Sequence, residues 1–280
     1  MSTETEDSER AILMRIAFKG GQFHGYQIQD NADTVQAQLT RALSAVLNHP
    51  VTLRSSSRTD AGVHALDLPV AFTTSCRISL RGIVLGANSN LPTAIRVLEA
   101  QELKDFIEPR RSHKGKIYRY HFWNAPIVSP MLADFTCLVP KALELSLADQ
   151  ALDALCGKHD FSAFRARGCT AAHAMRRITK ATLKRSTMAP NLITLEIHGE
   201  AFVRHQIRII AGTILEICLG MRDPASMKAL LKPAKRDQAG KTAPAHGLIL
   251  MKVHMEPQGV IGRWPKEPAD STSLFPVLCE

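Results

Sequence analysis

The 280-residue chain contains no Cys-x-x-Cys pair, and its six cysteines (Cys76, Cys137, Cys156, Cys169, Cys218 and Cys279) lie far apart. That spacing offers no structural zinc framework and fits reduced thiols in a cytoplasmic protein. No Gly-x-x-x-x-Gly-Lys-Ser/Thr loop and no zinc-hydrolase spacing occurs, so nucleotide- and metal-dependent chemistry has no positive support, and no cofactor is expected. A serine elbow is missing as well. No apolar run approaches the ~18–20 residues that span a bilayer, which argues against a membrane protein. Met1 to Arg10 is acidic and polar, unlike a secretory signal, and is expected to be a mobile leader. Short repeats and coiled-coil heptads are absent too.

What remains is a chain that is 45% apolar, enough for one large domain or two smaller ones. Lys and Arg number 35 against 26 Asp and Glu, giving 35 − 26 = +9. A surplus of this size favours polyanionic partners without naming one. Alternation predicts a first strand over Ala11 to Phe18, with Ile12, Met14, Ile16 and Phe18 on one face. Asp33 to Leu47 has helical spacing, and Asp33 with Gln36 matches an Asp-x-x-Gln capping pattern. Short strands follow at 51–53 and 63–72, Pro69 marking an edge or a bend in the latter. A weaker helix spans Leu80 to Ala87, and Ala94 to Leu98 closes the unit. The order is that of a split βαβ unit.

A similar order recurs downstream. It comprises a strand at 117–123, a helix at 147–155 begun by a Ser146-x-x-Asp149 cap, and a hairpin of 177–183 with 192–198. A strong helix at 205–219 and a strand at 248–253 complete it. The expected fold is therefore α/β (α+β): two related β-α-β-β-α-β units with antiparallel or mixed sheets, flanking a cleft. The expected divisions are a leader at 1–10, units at 11–110 and 111–265, and a tail at 266–280. A single nine- or ten-stranded arrangement is the alternative.

The chemistry concentrates in Ser57-Arg58-Thr59-Asp60-Ala61-Gly62-Val63-His64-Ala65, a short loop between apolar segments. Asp60 is either a turn carboxylate paired with Arg58 or an ionised nucleophile or base held anionic by a nearby cation. Tyr118 and Tyr120 share one face of a strand, where packing against the core is the ordinary role. Arg208 sits near a helix N-terminus, where the dipole does not favour a cation, so a role beyond solvent exposure is worth testing. His205 either caps and packs that helix start or supports the same site. Basic stretches containing Lys104, Arg110, Arg111, Lys114, Lys116 and Arg119, then Arg165, Arg167, Arg176 and Arg177, suit phosphate contacts or plain solvated faces. A third basic stretch spans Lys228 to Lys241.

Ordered blocks across more than 200 residues carry a resemblance. They are Gly25-Tyr26-Gln27-x-Gln29, Thr34-Val35-Gln36, Arg58 to Ala65, Lys116-x-Tyr118-Arg119-Tyr120 and Asp160-Phe161-x-x-Phe164-Arg165. Gly168-Cys169, Phe202-x-x-His205-Gln206-x-Arg208-x-x-x-Gly212 and Ala243-Pro244-Ala245-x-Gly247-Leu248 complete the set. Together they resemble the bacterial TruA family of tRNA pseudouridine synthases. The resemblance implies the pseudouridine synthase fold with a central RNA-binding cleft and a homodimer. It implies isomerisation of uridines 38, 39 and 40 in the tRNA anticodon stem-loop, without a cofactor or metal. It assigns Asp60 as catalytic aspartate, Tyr118 as the base-facing aromatic, Arg208 as the aspartate's charge partner and Arg58 to base flipping. Arg165 and Arg167 are expected RNA contacts. Ser57 stands where the family often has glycine, and Tyr26 where it often has tryptophan. Leu66-Asp67-Leu68-Pro69 and Glu108 also depart from the usual pattern. The same chemistry on another RNA site, or a catalytically silent RNA-binding protein, are the rival readings.

Overall fold

The computed structural model describes residues 9–266. The expected leader, apart from its last two residues, and all of the expected tail but Lys266 fall outside these. The strands are β1 (Arg10–Phe18), β2 (Arg54–Ser55), β3 (His64–Thr74), β4 (Ile95–Leu103), β5 (Gly115–Trp123) and β6 (Cys137–Leu138). They continue as β7 (Gly157–Asp160), β8 (Met175–Arg185), β9 (Leu192–Gly199), β10 (Leu248–His254) and β11 (Val260–Trp264). The helices are α1 (Val35–Leu47), α2 (Leu80–Asn90), α3 (Pro109–Ser112), α4 (Pro130–Ala133), α5 (Asp149–Leu155), α6 (Gln206–Cys218) and α7 (Ser226–Leu230). The fold is mixed α/β, and the chain divides into two compact units.

In the first unit the strand order is β11-β4-β1-β3, with β2 pairing beside β3. The β1–β3, β1–β4 and β4–β11 pairs are all antiparallel. Because β1 has a neighbour on each side, both its hydrogen-bonding edges are paired. Ile12, Met14, Ile16 and Phe18 are buried on one face, each of the three aliphatic side chains contributing roughly 1.5–3 kcal/mol. On the other, Ala11 and Leu13 cluster with Ala71, Leu103 and Met255, and Ile107 packs against them. Deeper along that face Arg15 pairs with Asp67 at 2.6 Å and with Glu99 at 3.4 Å. Asp67, one of the departures from the family pattern, thus has a half-buried cation to meet.

Two sequence expectations are corrected here. The cap of α1 is Thr34, whose hydroxyl accepts from the Ala37 N–H at 3.3 Å. Asp33 instead accepts from the Gln38 side chain, because its position one residue earlier carries it off the helix end. The strand β11 has no counterpart in the sequence reading, which only included its residues in the unit 111–265; it pairs with β4 because the chain returns after β10 and covers that strand's outer edge. Pro69 lies inside β3 opposite Arg15, beside a register shift between Ile16 and Phe18, so it marks a bend rather than an edge.

In the second unit β5-β9-β8-β7 form an antiparallel run. β6 joins β5 in parallel, and β10 lies on the other side of β5. The hairpin β8–β9 closes through Ser186, whose N–H donates to the Leu192 carbonyl. Tyr120, Phe122, Leu195 and Ile197 bury beneath α6, whose Ile207, Ile210, Ile214 and Ile217 are equally enclosed. The expected Ser146 cap is replaced: Glu144 accepts from the Ser146 N–H and hydroxyl, and a 3-10 turn at Leu145–Ala148 leads into α5.

Candidate active site

In the first unit, Asp60 sits half-buried between buried Thr59 and exposed Ala61, in the loop joining β2 to β3. A neighbouring turn holds this loop by its main chain. The Tyr26 N–H donates to the Thr59 carbonyl at 3.2 Å. Gly25, at φ +91°, lies so close that a Cβ there would stand 2.7 Å from the Thr59 oxygen and 3.2 Å from the Ala61 nitrogen. Only glycine tolerates both that backbone conformation and that approach. The same turn accepts from the first N–H groups of α1: Val35 donates to Gly25 and Gln36 to Tyr26. The carboxylate-bearing loop is therefore tied to a helix end, which fixes its position against a rigid element. Arg58 is exposed on that loop, open to a partner.

The second unit carries Tyr118 and Arg208. Tyr118 is buried on β5, and its ring meets Phe202 edge-on at 5.3 Å and 88°. Arg208 lies in the first turn of α6. Its Nε donates to the Ala243 carbonyl at 2.9 Å, while the Ala243 N–H donates to the Arg208 carbonyl at 3.0 Å. His205 takes a left-handed conformation (φ 63°) at the start of α6, and its side chain makes no cap hydrogen bond. Gln206, the first residue of α6, instead ties the incoming chain to the helix, its side-chain oxygen accepting from the Val203 N–H at 2.8 Å. A left-handed non-glycine residue is strained, and such strain gathers at functional sites. Tyr120 donates its hydroxyl to the Pro244 carbonyl at 2.9 Å. Burial pushes that phenol up, as does Cys137, against the opposing pull of the Arg208 cation.

Arg165 and Arg167, both expected to touch RNA, are used differently. Arg165 turns onto its own loop, its Nη2 donating to the carbonyls of Cys169 and Ala171 at 2.6 Å each. Arg167 is exposed at the loop's tip. Burial opposes ionisation of Cys169, but N–H groups of Ala171 and Arg204 and the Arg165 guanidinium hold the thiol below its ordinary 9.0. Several other members of the basic stretches are also internal ties. Lys116 is buried, Arg119 pairs with Glu196 at 2.8 Å, and Arg236 donates to Ala239, Gly240 and Thr242. Arg110, Arg111, Lys114, Arg177, Lys228 and Lys232 remain on the surface. Among the described residues the five cysteines are free thiols, and no group of three His, Cys, Asp or Glu side chains is placed to hold a metal ion. No described helix is long and apolar enough to cross a membrane.

Comparison with known proteins then decides the family. A family model described as tRNA pseudouridine synthase matches residues 151–255. The tRNA pseudouridine synthase A of Pelobacter propionicus is 39% identical over 244 residues, covering 87% of this chain and 99% of that protein. This chain belongs to the tRNA pseudouridine synthase A family. The Geotalea uraniireducens member is 36% identical over 87% of this chain and 99% of its own length. A Coxiella burnetii member is 34% identical over 92% of this chain and 97% of its own. A solved Cbf5-Nop10-Gar1 complex aligns with a TM-score of 0.34 at 10% identity, over 86% of this chain and 58% of that one. That likeness is too slight to bear on the fold. In this member of the tRNA pseudouridine synthase A family, the Asp60 loop and the Tyr118 strand are each anchored by main-chain bonds within their own units.

Proposed function

We propose that this chain converts uridines 38, 39 and 40 of the tRNA anticodon stem-loop to pseudouridine, with Asp60 as the catalytic carboxylate. Membership of the family makes it an isomerase that forms pseudouridine in tRNA. The observation that carries the assignment to Asp60 is its loop, hydrogen-bonded at Thr59 by Tyr26 and closely approached there by Gly25. A reactive carboxylate needs such a fixed mount, since positional error of about 1 Å costs on the order of a hundredfold in rate.

The reaction breaks the bond from N1 of uracil to C1′ of ribose, turns the base and joins C5 to the same C1′. The proton leaves C5 and N1 gains one, so nothing is oxidised or reduced. In this reading the Asp60 carboxylate acts on the nucleotide as the glycosidic bond is exchanged. Tyr118 faces the uracil with its ring, and its hydroxyl serves proton removal from C5. Arg208 supplies the cation that keeps a carboxylate ionised. The target base must leave its stack to be reached, and Arg58, exposed on the Asp60 loop, manages that flip. Arg167 contacts RNA phosphate, His205 supports the start of α6, and the enzyme works in the cytoplasm as a homodimer.

The test is purified protein on unmodified tRNA, wild type beside Asp60→Asn, read by site-resolved pseudouridine mapping. Wild type is expected to modify the three positions, and Asp60→Asn to lose at least about a thousandfold in rate with tRNA binding retained. An active Asp60→Asn enzyme would overturn the residue assignment. Binding without conversion by wild type would favour a silent RNA-binding protein. Marks at the three positions that persist in cells lacking the gene would favour another RNA site.

A further inference from the structure

The stretch from Arg236 to Gly247 has little regular structure, yet it is seated along a single stripe of α6. Four α6 residues meet it. Glu216 accepts from the Lys241 N–H at 2.9 Å, and the Thr213 hydroxyl accepts from the Gly240 N–H at 3.0 Å. At Gly212 the chain passes so close that a Cβ would collide with the Lys241 carbonyl. Arg208 then exchanges two bonds with Ala243, one through its main chain and one through its guanidinium Nε. Positions 208, 212 and 216 are spaced by four and share one helix face, with 213 adjoining. The strap therefore runs antiparallel to α6 and ends against Arg208.

Beyond Ala243 it meets two further parts of the same unit. Tyr120 of β5 donates to the Pro244 carbonyl at 2.9 Å, and Gly247 lies against the Tyr120 ring, where a Cβ would come within 2.7 Å. Gly62, two residues along the chain from Asp60, stands where a Cβ would come 3.1 Å from the Ala245 Cβ. Three consecutive strap residues thus touch the helix bearing Arg208, the strand bearing Tyr118, and Gly62.

We propose that Ala243-Pro244-Ala245 is a positioning strap, locked by the Tyr120 hydroxyl, that sets the direction of the Arg208 guanidinium. This rests on the catalytic roles given above to Asp60 and Arg208. Tyr120 acts through the strap and is a positioning residue. A charge held by Nε alone would swing about its long side chain; the second bond, to the Arg208 main chain, fixes the strap carbonyl that Nε meets.

The experiment compares wild type, Tyr120→Phe and Thr213→Val in steady-state kinetics on unmodified tRNA, with Asp60→Asn as reference. Tyr120→Phe frees the Pro244 carbonyl and is expected to lower kcat about tenfold, with KM for tRNA changed less than about twofold. Thr213→Val removes the Gly240 anchor, remote from the reacting groups, and is expected to lower kcat in the same sense by about threefold. Circular dichroism and thermal melting establish that both variants are folded at the assay temperature. Wild-type kcat in a folded Tyr120→Phe, or a Thr213→Val enzyme with wild-type kcat, would overturn the strap. An Asp60→Asn enzyme with full activity would instead overturn the functional reading on which it rests. Should Tyr120→Phe not fold, Thr213→Val alone decides.

Discussion

Arg165 and Arg167 differ by two positions and look alike as cations, yet one is spent internally and the other is presented. Arg165 makes two charge-assisted bonds to carbonyls of its own loop, and such bonds contribute about 1.5–3 kcal/mol each when retained. Part exposure of Arg165 discounts their sum, and Arg165→Ala is expected to destabilise the protein by roughly 2–4 kcal/mol in urea unfolding. Arg167→Ala is expected to leave the unfolding midpoint unchanged and to reduce the salt slope of tRNA binding by about one. The reverse pattern would show the two roles to be exchanged. The sequence could not separate them, because the partners of Arg165 are backbone oxygens whose direction depends on a turn at Gly168 (φ +71°). Asp60 was legible, since its neighbours form a dense motif. What held it was not: the Gly25 contact joins segments more than thirty residues apart through backbone atoms that carry no side-chain signature.

At the level of elements, helix ends separate what pattern reveals from what geometry decides. The spacing of Val35, Leu39 and Leu43 defined the buried face of α1, and those residues are fully enclosed. Its first residue was read one position early, because Asp33 and Thr34 are both good caps and only the chain's direction selects between them. Thr34→Ala is expected to cost about 1 kcal/mol and Asp33→Ala a few tenths at most, measured by urea unfolding. Equal losses would mean that the Thr34 hydroxyl is not the cap. The strands β1, β5 and β9 were readable from alternation or apolar runs. β7 and β11 were not, being four and five residues long and largely open to solvent, so no buried face imposes a period on them. The Arg236–Gly247 stretch reads as a loop by composition and is ordered by partners on α6 that sequence spacing does not announce.

For the molecule as a whole, a buried histidine and a half-buried carboxylate on one sheet face contribute to its response to acid. His121 is fully buried on β5 with Nδ1 at 3.0 Å from the Thr194 hydroxyl. Burial, aided by Arg119 and His64, holds its pKa down at about 3. Unfolded, it titrates near its ordinary 6.5, so between these values the unfolded chain binds a proton that the folded one refuses. Stability from this group is complete above 6.5 and drains away as pH falls towards 3. Burial opposes the charge of Glu196, yet bonds from Lys180, His198 and Arg119 outweigh it and place the carboxylate at about 2. Its contribution is present above the ordinary 4.5 and is lost as pH falls to about 2. Urea midpoints taken from pH 7 to pH 4 are expected to fall less steeply in His121→Gln than in wild type. Glu196→Gln should leave that upper limb intact and flatten the loss below 4.5. Parallel curves for His121→Gln and wild type would refute the buried neutral histidine.

The return of β11 to β4 carries a consequence for synthesis. A ribosome delivers β1, β3 and β4 early, but the strand that covers the outer edge of β4, and the Met255 side chain that fills the cluster of Ala11, Leu13, Ala71 and Leu103, emerge only after the entire second unit. Until then the nascent first unit exposes an unpaired edge and an open apolar patch, the features that invite wrong pairing and chaperone capture. The unit made first is thus the one completed last, and the second unit must be made before the first can close.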